Sequence, residues 1–191
     1  MKAVIETLTR GVDCARFRHI FYASEVFNRE IMAVANLKER VVREHVQLPD
    51  GKERSRLYIV PRVDLPLVIE KATAGYVIAY EETSLFDPAT RTANVSIHTP
   101  GGDLLRVSAV TQWLTEPEGV RMRLELDVHV KLFGVAGLIE RFMISETRKR
   151  YEALERVMQQ CVDAENAAET VAGTVAETVT GETSATAVGS S

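Results

Sequence analysis

The stretch VRMRLELDVHVKLFGVAGLIERFMISETRKRYEALERVMQQCV, residues 120–162, carries two periodicities end to end. From Val120 to Leu132 apolar and polar residues alternate. Met122, Leu124, Leu126, Val128, Val130 and Leu132 fall on one side, and Arg121, Arg123, Glu125, Asp127, His129 and Lys131 on the other. That two-residue period belongs to a strand with one buried and one wet face. Beyond Gly134 and Gly137 the spacing lengthens, and Val135, Leu138, Ile139, Phe142, Met143, Ala153, Leu154, Val157 and Cys161 trace one broad stripe along a helix. A one-faced strand running into a long one-faced helix predicts that the helix packs on the sheet.

Working outward, Ala3 to Leu8 reads as the first strand. Two short helices follow, one capped by Asp13 and running to about Tyr22, the other capped by Ser24 and running to about Val34. Leu37–Gln47 and Glu53–Val60 read as strands joined by a Pro49-Asp50-Gly51 turn. Residues 61–75, PRVDLPLVIEKATAG, break the pattern with two prolines and read as a loop with room for one helical turn. Tyr76–Leu85, Thr92–Thr99 and Leu104–Leu114 supply three more strands before the turn Glu116-Pro117-Glu118-Gly119 opens the last one. Connections this short make antiparallel neighbours. The fold class expected is α+β: a curved seven-stranded antiparallel sheet wrapped around a long C-terminal helix, with two short helices after the first strand.

Composition sets further bounds. A chain of 191 residues has room for one domain with a sizeable core. Residues 163–191 hold five acids and no Lys or Arg, are rich in Ala, Thr and Val, and are expected to form a flexible tail on a domain of residues 1–162. The remainder is nearly neutral, so no footprint for nucleic acid is expected. Cys14 and Cys161 stand far apart and the four histidines are scattered, so neither a disulfide framework nor a metal centre is indicated and both cysteines read as buried thiols. MKAVIETLTR lacks the apolar core of a secretory signal, and no run is long and apolar enough to span a bilayer. A cytoplasmic protein with no integral membrane segment is expected, which leaves room for transient membrane contact; the sequence does not give the oligomeric state.

Three local patterns, VDLPLVIEKATAG, YVIAYEETSLFD and VHVKLFGVAGLIERFM, in this order of elements, resemble the START-like or polyketide-cyclase-like (SRPBCC) superfamily, nearest an uncharacterised bacterial family of unknown function within it. The resemblance covers about residues 1–162 and implies a helix-grip fold. It also implies an apolar cavity between sheet and last helix, of the kind in which relatives bind or transfer lipids, sterols, quinones or polyketides. Other relatives are cyclases, hydrolases or chaperone cofactors, so the fold alone does not choose an activity.

The cavity expectation also has a physical basis, because a strongly bent sheet and one helix need not fill the space between them. Its walls are expected to be Met122, Leu124, Leu126 and Val128 on the strand, facing Leu138, Ile139 and Phe142 on the helix. These residues serve equally as ordinary core. Leu65, Leu67, Val68 and Ile69 form a candidate lid. Glu146, four residues after Phe142, sits in the apolar stripe, where a carboxylate needs a partner such as Lys149 or Arg150 or else orients a ligand head group. Tyr80 is a further candidate, with Tyr58, Glu82, His98, Arg106 and Trp113 beside it, although mixed alternation leaves their facing open. Glu81 and Glu82 are adjacent and cannot share a face. No GxSxG, P-loop or dinucleotide fingerprint is present, so no catalytic residue, metal or cofactor is assigned. The leading reading is a binder or carrier of a small hydrophobic or amphipathic ligand, lipid-, quinone- or polyketide-like. A protein-interaction or chaperone-cofactor-like module, and a cyclase or hydrolase using dispersed pocket residues, stay open beside it.

Overall fold

The chain runs β1 (Lys2–Arg10), α1 (Cys14–Ala23), α2 (Glu25–Val34), β2 (Leu37–Gln47), β3 (Glu53–Pro61), α3 (Leu67–Ala72), β4 (Tyr80–Asp87), β5 (Thr92–His98), β6 (Leu105–Glu116), β7 (Gly119–Val130) and α4 (Ala136–Glu182) in a computed structural model that describes residues 1–72, 79–99 and 105–182. The strands form one antiparallel sheet in the order β1-β7-β6-β5-β4-β3-β2. β1 pairs with β7 although the two lie at opposite ends of the sheet's sequence, so the meander is closed by its first strand. The expected class is the one observed: a curved sheet gripping α4, with two short helices inserted after β1.

Local chemistry places each element. Asp13 accepts from Arg16 N at 2.8 Å and Ser24 from Phe27 N at 3.2 Å, so the two caps read from sequence satisfy the first free amides of α1 and α2. In β7, Met122, Leu124, Leu126, Val128 and Val130 are buried while Glu125, Asp127 and His129 are exposed. Register carries that face across the sheet, pairing Met122 with Trp113, Leu124 with Thr111 and Leu126 with Ala109. The C-terminal turns of the inward stripe of α4, Ala153, Leu154, Val157, Met158, Cys161 and Val162, complete the core against α2 and the sheet. Glu155 and Gln159 of α4 accept from the backbone amides of Leu8 and Arg10 of β1, at 3.2 and 2.8 Å.

Some expectations shift. The last helix continues to Glu182, so no helical break marks the boundary expected at residue 162. Arg16 of α1 reaches Glu165 at 2.9 Å and Asn166 at 2.8 Å, which ties the turn beyond that boundary to the body. Leu138, expected on the inward stripe, is 39% exposed, while its neighbour Ile139 is buried. Cys161 is buried as expected, but Cys14 is only half-buried. The helical turn expected within residues 61–75 is present as α3. The fourth strand begins at Tyr80, and Tyr76–Ile78 of the expected strand, like Leu104 at the head of the expected sixth strand, lie outside the described residues.

Candidate functional site

The helical stripe does not meet the sheet tightly along its whole length. Over the first four turns of α4, Ile139, Phe142, Met143, Glu146, Thr147 and Arg150 face a cavity of about 150 Å³. Their spacing of three and four is that of a single helix face. The opposite wall comes from Tyr80 on β4, from Ile97 and Thr99 at the end of β5, and from Leu105 on β6. Val63, Leu65 and Ile69 close the side under α3. The walls are mostly hydrocarbon, with the polar groups gathered at the end formed by Tyr80, Thr99 and the third and fourth turns of the helix face.

Those polar groups are arranged unequally. Lys149 donates to Glu146 at 2.7 Å, so the carboxylate in the stripe has the neighbour that its spacing predicted. Arg150 does not join that pair. Its Nη1 donates to the Tyr80 hydroxyl at 3.2 Å, and among the described residues no carboxylate pairs with it. Burial pushes the Tyr80 phenol above its ordinary range, with the Arg150 charge acting the other way, so the hydroxyl keeps its proton at neutral pH. Thr147 donates to the Met143 carbonyl at 2.8 Å, whereas the buried Thr99 hydroxyl has no partner among the described residues.

A second, polar chamber lies deeper, between α1, α4 and the middle of the sheet, and encloses only about 20 Å³. Glu82, Ser84, Tyr22 and Tyr151 line it together with Arg18 and Trp113. Burial raises the Glu82 carboxyl, with Arg40 opposing, and raises the phenols of Tyr22 and, more strongly, Tyr151. Glu81, the preceding residue, points outward; its hydrogen bond from Arg56 at 2.6 Å holds its carboxyl low. Two adjacent glutamates thus shift in opposite directions because strand alternation puts one in water and one inside. Two cations are also internal. Arg18 lies 3.6 Å from the Phe86 ring centroid and pairs with Glu53, while Arg40 donates to Asn28 at 2.6 Å and to the Phe21 carbonyl at 2.9 Å.

Of the residues expected at the site, Ile139, Phe142, Glu146 and Tyr80 line the cavity together. Met122 lies instead at the inner chamber, and Leu124, Leu126 and Val128 are packed into the core, because β7 runs beneath the filled part of the grip. Leu138 and Leu67 are exposed, the latter 71%, and are absent from the lining. Within the candidate lid, Leu65 and Ile69 take part, and the side chain of Val68 lies outside the described residues. Sequence reasoning missed Met143, Thr147 and Arg150, although continuing the helix face from Ile139 and Phe142 reaches all three. Glu82, whose facing was left open, could have been placed by counting back in twos from the buried Phe86.

A seven-stranded sheet gripping a C-terminal helix is the helix-grip fold, which this chain shares with a solved START superfamily protein. The family model described as "Protein of unknown function (DUF2505)" matches residues 11–162, and the chain belongs to that family. No curated protein matches it. Among solved structures it is similar to TTHA0849 from Thermus thermophilus, at 16% identity and a TM-score of 0.60, covering 86% of this chain and 99% of that one. It is also similar to a START superfamily protein from Mycobacterium smegmatis, at 15% identity and a TM-score of 0.51, covering 84% and 97%. A third similar structure is the Zhui aromatase/cyclase from Streptomyces sp. R1128, at 11% identity and a TM-score of 0.50, covering 85% and 92%. At these identities the likeness is one of fold. No described helix is long and apolar enough to cross a membrane.

Proposed function

We propose that this protein binds and carries a small hydrophobic or amphipathic molecule in the cavity between the sheet and the first turns of α4. The observation that carries the reading is a partly enclosed space of about 150 Å³ with apolar walls from four elements and, among the described residues, a few polar groups contributed by Tyr80, Thr99 and the third and fourth turns of α4. Such a site takes up the apolar part of a ligand by the hydrophobic effect and orients it through a few polar contacts. A space of this size accommodates a single ring or a short chain without any rearrangement. The segment containing α3 covers one side, and Leu65 and Ile69 give it an apolar underside suited to a movable cover.

Catalysis has less support. The buried carboxyl of Glu82 faces the inner chamber, and about 20 Å³ beside it has room for roughly one water molecule and not for an organic substrate. The test of the carrier reading is native mass spectrometry of protein purified from its own cells, followed by organic extraction. A stoichiometric apolar or amphipathic molecule is expected. An empty protein that also fails to bind short-chain apolar probes would overturn the reading.

A further inference from the structure

The inward stripe of α4 is apolar at Ile139, Phe142 and Met143, polar at Glu146, Thr147 and Arg150, and apolar again from Ala153 to Val162. A helix held only by core packing would carry hydrocarbon through the middle of that stripe. Here the polar interruption coincides with the end of the cavity at which Tyr80 and Thr99 also lie.

The hydrogen bonds of this cluster leave donors over. Lys149 neutralises Glu146, and the Thr147 hydroxyl is spent on the Met143 carbonyl. Arg150 is half-buried, gives one N–H to Tyr80, and has no carboxylate partner among the described residues. The Tyr80 oxygen accepts that bond, so its own proton is still to be donated. The Thr99 hydroxyl is buried without a partner. Among the described residues, one guanidinium without a carboxylate partner and two hydroxyl donors therefore meet in an otherwise apolar space. A partly desolvated guanidinium beside a hydrocarbon cavity calls for an anion that brings an apolar body with it, and its planar fork fits a carboxylate in two-pronged geometry.

We propose that the ligand is an amphipathic carboxylate whose head group binds Arg150, with Tyr80 and Thr99 donating beside it and the hydrocarbon lying against Ile139, Phe142 and Leu105. This rests on the carrier reading and adds the chemical class of the ligand. An amine head group would face an unneutralised guanidinium, and an alcohol would leave the positive charge uncompensated.

The experiment is a titration of the full chain at neutral pH with three probes sharing an eight-carbon tail: octanoate, 1-octanol and octylamine. Each is run against the wild type, Arg150→Gln and Arg150→Lys. Octanoate is expected to bind the wild type about tenfold more tightly than octanol, a factor that corresponds to about 1.4 kcal/mol, with octylamine weakest. Arg150→Gln should abolish the preference for octanoate over octanol, with the urea unfolding midpoint reporting that the variant is folded. Arg150→Lys should restore part of the preference. Equal binding of octanoate and octanol by the wild type, or a preference that survives Arg150→Gln, would overturn the carboxylate assignment and leave the apolar cavity standing. Failure of all three probes would overturn both.

Discussion

Filling the cavity from the sheet side gives a direct test of where an apolar ligand sits. Ile97 on β5 lines the cavity opposite α4 and pairs across the sheet with Glu82 and Val107. At about 30 Å³ for a methylene-sized group, a cavity of about 150 Å³ holds roughly five carbons of a chain. At about 0.8 kcal/mol for each buried methylene, five carbons supply on the order of 4 kcal/mol, a dissociation constant near 1 mM for an uncharged ligand such as 1-octanol. Ile97→Trp adds roughly 60 Å³ of side chain and removes room for about two of those carbons. The expected loss is about 1.6 kcal/mol, or roughly fifteenfold in affinity. NMR titration of methyl-labelled protein with 1-octanol measures it, with the urea unfolding midpoint as the control for folding. A folded variant that binds octanol as tightly as the wild type would refute the assignment of the cavity as the binding site.

Three further outcomes follow from the geometry. Burial raises the Glu82 carboxyl above its unfolded value, so its contribution to stability is fully present below the ordinary carboxylate range and is lost as pH rises through the raised value. Glu82→Gln should therefore be more stable than the wild type at pH 7, by about 1–2 kcal/mol, with the gain fading near pH 4; urea titrations at the two pH values read this, and a less stable variant at pH 7 would contradict it. A Cβ at Gly119 would lie 2.0 Å from the Thr9 carbonyl oxygen, where β1 pairs with β7, so Gly119→Ala should part these strands at a cost of about 2 kcal/mol and lower Tm by about 4–8 °C in calorimetry, and an unchanged Tm would contradict the close approach. Removing residues 163–191 deletes the Arg16 contacts to Glu165 and Asn166, costing up to about 1 kcal/mol in urea stability, while octanol affinity should stay at the full-length value; lost affinity would place part of the binding site in the removed segment.

The sequence was most legible where one physical rule acted alone. β7 obeys strict alternation because one of its faces meets core and the other water, and the Asp13 and Ser24 caps are local enough to be read directly. β2, β3 and β4 were less clear because their inward faces carry Arg40, Ser55, Glu82 and Ser84, polar residues that hydropathy alone places outside. Two register shifts in β2, between Leu37 and Glu39 and between Val42 and Glu44, further break its period.

The candidate site was half legible for a related reason. Ile139, Phe142 and Glu146 fix a helix face from sequence, but which sheet residues oppose it depends on the tilt of α4 across seven strands. That tilt puts Tyr80, Ile97 and Leu105 at the cavity and leaves Leu124, Leu126 and Val128 beneath the filled core, although β7 adjoins α4 in sequence. Leu138 and Leu67 looked equivalent to their apolar neighbours in sequence, yet they are exposed while Ile139 and Ile69 are buried.

The central claim, that an apolar ligand occupies the space beneath the first turns of α4, is tested most directly by a crystal structure with 8-bromooctanoate, using anomalous scattering to locate the bromine. The account predicts a bromine peak in van der Waals contact with Ile139, Ile97 and Leu105. A bromine bound only elsewhere, for example in the groove between Val4 and Val110 on the outer face of the sheet, would contradict it.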